Sequence, residues 1–262
     1  MEAEWENGLI KRLVLDQLKG DDWGAETADR RSFFTLTGRP YGCRIRPLAC
    51  IPIENGFVKR LETVMAEGRW QMEIQASLDN GTVRIHQTIE CLEDSIFQDF
   101  VVRFRFDRSS FDRGLIAGRI IPHADRNVWH QYPVREAVLT GPHGTVRVRA
   151  LQAVTVGKFE QMMYVRDEPG SWIVHVRLIP SDPPDLYWIR WAHRFGTWSI
   201  NDPWSRRFLR SARVKRALWY LSERRGGRPQ LQAQGLAMLQ RGQRISIQAE
   251  CELWRGVGGQ RA

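Results

Sequence analysis

Two histidines, an aspartate, an arginine and a tyrosine fall within ten residues of this chain: His123, Asp125, Arg126, His130 and Tyr132, set between Pro122 and Pro133. The prolines disfavour helix and point to a loop, and loops held on a rigid sheet are where chemistry commonly sits. In such a set a histidine or the tyrosine serves as acid or base, Arg126 neutralises a substrate carboxylate, and Asp125 orients an imidazole. That suits proton abstraction beside an acid group, as in β-elimination or epimerisation of a uronic acid. The same composition also fits a polar loop whose side chains satisfy its own backbone. As metal ligands, His123, Asp125, His130 and His143 have no spacing that an element would make converge, so no metal site is expected.

A second candidate is the stretch Tyr187 to Phe195, which reads as a strand with two unlike faces. Tyr187, Ile189, Trp191, His193 and Phe195 share one face; Trp188, Arg190 and Arg194 share the other. Trp188 beside two arginines makes a platform for a sugar ring carrying a carboxylate, since indole stacks and guanidinium forks onto the anion. The plain alternative is a covered tryptophan with arginine stems laid over apolar surface.

The third is a charge run. From Trp204 to Arg228 the chain carries Arg206, Arg207, Arg210, Arg213, Lys215, Arg216, Arg224, Arg225 and Arg228 against one acid, Glu223, a balance of +8 within a total of +9. Asp202 and Pro203 supply a helix start, and Val214, Ala217, Leu218 and Leu221 fall on one face. A basic helix near 203–222 is expected, with Arg206, Arg207, Arg210, Arg213, Lys215 and Arg216 turned to a polyanion or simply to water.

These residues need elements to hold them. Trp70, Met72, Ile74, Ala76 and Leu78 alternate with polar neighbours, as do Val83, Ile85, Ile89 and Cys91 after Asn80-Gly81. Asn-Gly between two alternating runs predicts a hairpin with a type I′ turn. The same period runs through Ile96 to Phe106, with Asp99, Arg103 and Arg105 on the other face. It recurs over 145–156, 159–167, 171–180 and 244–254. Helical spacing is read at Trp5, Leu9, Leu13 and Val14, and again at Phe57, Leu61, Val64 and Met65 behind Asn55 as cap. The expected fold is mainly β: a large antiparallel two-sheet sandwich with an N-terminal helix and the basic helix. It is read as one domain over 1–262, with 1–68 a helix-and-loop portion packed on it and 203–228 a helical insertion before the final strand.

Composition narrows the classes. No apolar run is long enough for a membrane-spanning helix, and the opening MEAEWENGLIKR does not read as a secretory signal. The 4 cysteines form no CxxC pair, which fits reduced thiols and a cytoplasmic location. There is no GxSxG, Gly-rich phosphate loop, HExxH or zinc knuckle, and no cofactor is expected. Long amphipathic strands with aromatic and arginine-rich outward faces resemble carbohydrate-active sandwich proteins in architecture, although no segment matches a family motif. The expected function is recognition of an anionic saccharide, with or without uronic-acid lyase or epimerase activity. The alternatives are a non-catalytic polyanion binder, nucleic acid included, and an assembly subunit using the basic helix.

Overall fold

The computed structural model describes residues 2–6, 9–15, 18–25, 33–34, 44–65, 68–97, 99–125, 128–132, 134–142, 144–157, 159–180 and 237–255. The strands are β1 (Glu2–Glu6), β2 (Leu9–Leu15), β3 (Leu18–Ala25), β4 (Phe33–Phe34), β5 (Arg44–Ile53), β6 (Gly56–Met65), β7 (Gly68–Asp79) and β8 (Thr82–Glu93). They continue as β9 (Ser95–Phe97), β10 (Asp99–Asp107), β11 (Arg113–Ile116), β12 (Arg119–Pro122), β13 (Val128–Tyr132) and β14 (Glu136–Gly141). The last are β15 (Gly144–Val154), β16 (Phe159–Glu168), β17 (Ser171–Pro180), β18 (Ala237–Leu239) and β19 (Arg244–Arg255).

They form two antiparallel sheets. One has eight strands in the order β1-β2-β3-β10-β17-β16-β13, with β4 also on β10. The other has nine, ordered β12-β11-β14-β15-β19-β8-β7-β6-β5. A small pair, β18-β9, stands apart. The final strand inserts between β8 and β15, so distant parts of the sequence complete one sheet. Alternation explains the packing: β7 reads exposed-buried along most of its length, and β8 does the same. One continuous apolar cluster takes Trp70, Met72, Ile85 and Ile247 from the nine-stranded sheet and Phe104, Phe106, Trp172 and Val174 from the other.

The predicted β7–β8 hairpin is present, with Asn80 and Gly81 both at positive φ (44° and 84°) as a type I′ turn requires. Both helices read near the amino terminus need correction. The segment over 4–18 holds strands β1 and β2, paired to each other and onward to β3. Apolar spacing there was compatible with a helix, but an isolated helix of that length is marginal in water, whereas ladder pairing satisfies the same backbone. The segment after Asn55 is β6, paired on both sides. Asn55 is a turn residue at φ 57° rather than a cap. Gly56 follows because a Cβ there would run into the carbonyl of Ala76. No helix occurs among the described residues. The basic segment over 203–228 lies outside them.

Of the cysteines, Cys91 and Cys251 are buried apolar residues as their strand positions imply, and Cys50 is exposed; all three are free thiols. Burial pushes the Cys251 thiol well above its ordinary value of 9.0 and raises Cys91 too, for the same reason.

Phe104 is fully buried between the sheets, and Phe104→Ala is expected to cost about 3–5 kcal/mol in urea unfolding. The thiols give a pH signature. The folded protein holds these protons more tightly than the unfolded chain, so stability is intact below a thiol's ordinary value and falls as pH rises through the raised folded values. The urea midpoint should therefore drop as pH rises above about 9, and Cys251→Ala should flatten that drop. An equal drop in the variant would assign the effect elsewhere.

Candidate ligand-binding site

The loop that carried the first sequence expectation joins the two sheets, running from β12 to β13. His123 has a side chain only 1% exposed, and so has Asp167 of β16. The His123 ring meets the Trp172 indole edge-on at 4.8 Å. Its Nδ1 accepts the Asp125 backbone N–H (3.3 Å), which places the ring proton on Nε2. That Nε2–H donates to the Ser171 carbonyl at 3.1 Å, with Asp167 Oδ1 at the same distance as an electrostatic neighbour. Asp167 Oδ2 accepts the Ala124 N–H at 2.6 Å. Asp125, at φ 54°, accepts the Gly170 N–H (2.9 Å) and pairs with Arg108.

The ring nitrogens of His123 and the carboxylate of Asp125 are thus engaged inside the protein. They staple the β12–β13 connection to the turn between β16 and β17. Arg126 lies outside the described residues. His130 and Tyr132 belong to β13, in register with Val165 and Met163 of β16. The candidates Trp188, Arg190 and Arg194 and the basic residues Arg206, Arg207, Arg210, Arg213, Lys215 and Arg216 also lie outside the described residues.

A different set converges on the outer face of the eight-stranded sheet. In β10, β17 and β16 every second residue is core: Phe100, Val102, Phe104 and Phe106; Trp172, Val174, Val176 and Leu178; Met163 and Val165. The alternate residues must face away, and the register aligns them in rows. Arg103 stands opposite His175, which stands opposite Tyr164. One row along, Val101, Arg177 and Met162 align; on the other side Arg105, Ile173 and Arg166 do. The His175 and Tyr164 rings are 5.1 Å apart, and the Arg177 guanidinium lies 5.4 Å from the Tyr164 centroid. Arg103 is 5% exposed and Tyr164 6%, whereas His175, Arg177, Arg105 and Arg166 are half-buried. Arg105 donates to Ser171 Oγ at 3.3 Å, and Arg166 pairs with Glu168 at 2.9 Å.

A guanidinium keeps its charge when buried and presents its donors as a planar fork. An imidazole and a phenol in the adjoining positions supply groups that exchange protons. The sequence reading placed Arg103 and Arg105 on the face away from the core but did not join them to His175 and Tyr164, which are far away in the chain. The available signal was an Arg, His or Tyr at the outward beat of three consecutive long strands.

Among the described residues no group of three or more His, Cys, Asp or Glu side chains is placed to hold a metal ion. Among the described residues there is no helix long and apolar enough to cross a membrane.

No family model matches the sequence, and no curated protein matches it. Among solved structures, the chain is similar to a putative aldose 1-epimerase from Escherichia coli K12, at 7% identity over 94% of this chain and 79% of that one, TM-score 0.46. It is similar to a galactose mutarotase related enzyme from Lactobacillus acidophilus, at 8% identity over 86% and 76%, TM-score 0.46. A protein from Synechocystis sp. PCC 6803 aligns at 11% identity over 80% of this chain, TM-score 0.41, and the chain spans 65% of that protein's length. At such low scores the likeness assigns neither ligand nor activity to this chain.

The staple makes its own prediction. Asp167→Ala leaves the Ala124 N–H without its acceptor and the buried imidazole without its carboxylate, and should cost about 3–5 kcal/mol in chemical denaturation. A loss below about 1 kcal/mol would show that the connection is held by other contacts.

Proposed function

We propose that this protein recognises an anionic saccharide on the outer face of its eight-stranded sheet. The observation that carries the reading is the single cross-strand row Arg103–His175–Tyr164. A sugar carboxylate is a planar, two-oxygen acceptor, and an arginine fork matches it with two charge-assisted hydrogen bonds. The phenol ring of Tyr164 offers an apolar surface to the sugar, and its hydroxyl is a donor and acceptor for a sugar hydroxyl.

The same row supports the finer reading, proton transfer at the carbon next to the carboxylate. Pairing with Arg103 stabilises the enediolate that forms when that proton leaves, because charge builds on the carboxylate oxygens. His175 and Tyr164 are the two groups in reach of such a carbon that accept or donate a proton. Removing the proton and returning it on the opposite face is epimerisation; expelling the neighbouring glycosidic oxygen instead is β-elimination. In this reading the His123 loop holds the β16–β17 hairpin, and so holds His175 and Tyr164.

Titration calorimetry with a monomeric uronic acid, glucuronate or galacturonate, against the matching neutral sugar tests the proposal. The acid should bind more tightly than the neutral sugar, and Arg103→Gln should weaken acid binding by about tenfold or more. Tyr164→Phe should leave binding nearly intact while slowing deuterium uptake at the carbon beside the carboxylate in heavy water. Equal affinity for acid and neutral sugar, unaltered by Arg103→Gln, would remove the reading. Binding to nucleic acid or heparin that survives Arg103→Gln would favour the basic segment as the polyanion surface instead.

A further inference from the structure

The nine-stranded sheet ends at β5, and this edge strand carries Cys50, the exposed cysteine among the described thiols. Pro47 and Pro52 deprive β5 of two backbone donors, and the register shifts between Pro47 and Ala49, leaving Leu48 without an opposite residue. Prolines and bulges are common means by which an edge strand resists pairing with a further strand. The Cys50 thiol therefore stands at an exposed margin, whereas Cys91 and Cys251 are sealed in the core.

Across the ladder Cys50 stands directly opposite Lys59 of β6, the fourth pair from the Glu54-Asn55 turn. Opposite residues point to one face with their Cβ atoms about 5 Å apart. A flexible stem of four carbons lets a lysine amine fold back over that gap. On its other side Lys59 is in register with Ile74, and it shares a face with the core residues Phe57 and Leu61. Half-buried there, its ammonium is held below the ordinary value of 10.5 by loss of water. The nearness of Cys50 acts in the opposite sense, which marks the two groups as electrostatic neighbours. More of such an amine is neutral than in a solvated lysine, and the neutral amine is the nucleophile.

We propose that Cys50 and Lys59 form a redox-modification site at which hydrogen peroxide couples the thiol to the amine as a sulfenamide. In the first step the Cys50 sulfur attacks a peroxide oxygen and the O–O bond breaks. The thiol becomes a sulfenic acid and one water is released. In the second step the Lys59 nitrogen attacks that sulfur and the S–O bond breaks. The hydroxyl leaves with one amine proton as a second water. Sulfur is oxidised by two electrons, the peroxide is reduced by two, and the protein loses two hydrogens. An external dithiol, itself oxidised to a disulfide, returns both side chains to their starting state. The link ties the edge strand to its neighbour and keeps the sulfur from the irreversible sulfinic and sulfonic stages.

The test treats the full-length protein with a small excess of hydrogen peroxide and maps its peptides by mass spectrometry without reduction. The expected product is a peptide pair joined at Cys50 and Lys59, two hydrogens lighter than its free parts and separated by dithiothreitol. Cys43→Ser should leave that pair in place, which distinguishes it from a disulfide. In Lys59→Arg the side chain keeps its charge and does not attack, so the joined pair should be lost and Cys50 should advance to sulfinic acid. A disulfide between Cys43 and Cys50 in place of the joined pair would overturn the proposal. So would sulfinic acid at Cys50 of the wild-type chain with Lys59 unmodified. The wild-type chain alone separates these outcomes, whether or not a variant folds.

Discussion

The Trp172 indole is the contact on which the rest of the molecule is hung. Fully buried, it donates its Nε1–H to the Phe111 carbonyl at 2.9 Å and takes the His123 ring edge-on. Phe111 in turn meets Phe106 edge to face at 5.6 Å. A β17 residue, a segment leading into the opposite sheet, and the connection between the sheets are therefore locked to one another through a single side chain. Because strand side chains alternate with a period of two, fixing Trp172 inward fixes Ile173, His175 and Arg177 outward. A slip of one residue would put the charges in the core, which the cost of burying an unpaired guanidinium forbids. The site is thus a consequence of core packing.

The two outer faces solve the problem of surface charge differently. On the nine-stranded sheet, arginine and glutamate alternate across neighbouring strands and neutralise each other at short range. Glu62 is an example: hydrogen bonds from Arg69 and Arg46 hold its carboxyl below the usual range. Pairs exposed at both ends, such as Arg60–Glu73, contribute little to stability. On the eight-stranded sheet Arg166 pairs with Glu168, Arg105 donates to Ser171 Oγ and stands opposite Asp21 of β3, and Arg177 lies over the Tyr164 ring.

Much of the sheet architecture was legible because period-two alternation is a strong signal where one face is buried. The β7–β8 hairpin, β15, β16, β17 and β19 all stand where alternation placed them. The amino-terminal segments misled because Leu9 and Leu13, four residues apart, satisfy both periods, and spacing alone does not arbitrate between a helix and a strand that finds partners. Asn55-Gly56 carried the same turn signal as Asn80-Gly81 and was outweighed by the apolar residues after it. The candidate site was legible in its parts and not in its assembly. Arg103 and Tyr164 are 61 positions apart, and only the ladder register brings them into one row. The His123 loop drew notice for its chemical density, yet density within a loop measures how many polar groups are nearby. It does not say whether they face a ligand or each other.

That distinction also explains why burial and function separate here. His123 and Asp167 are nine-tenths hidden and more: the imidazole nitrogens and Asp167 Oδ2 bond to adjacent backbone, and Asp167 Oδ1 faces the His123 ring. Arg103 and Tyr164 are nearly as hidden, and they share one row with half-buried His175. A closed network gives rigidity, because removing any member strands the others. The staple and the row are mechanically joined through the β16–β17 hairpin. Rigidity in the first keeps the side chains of the second aligned.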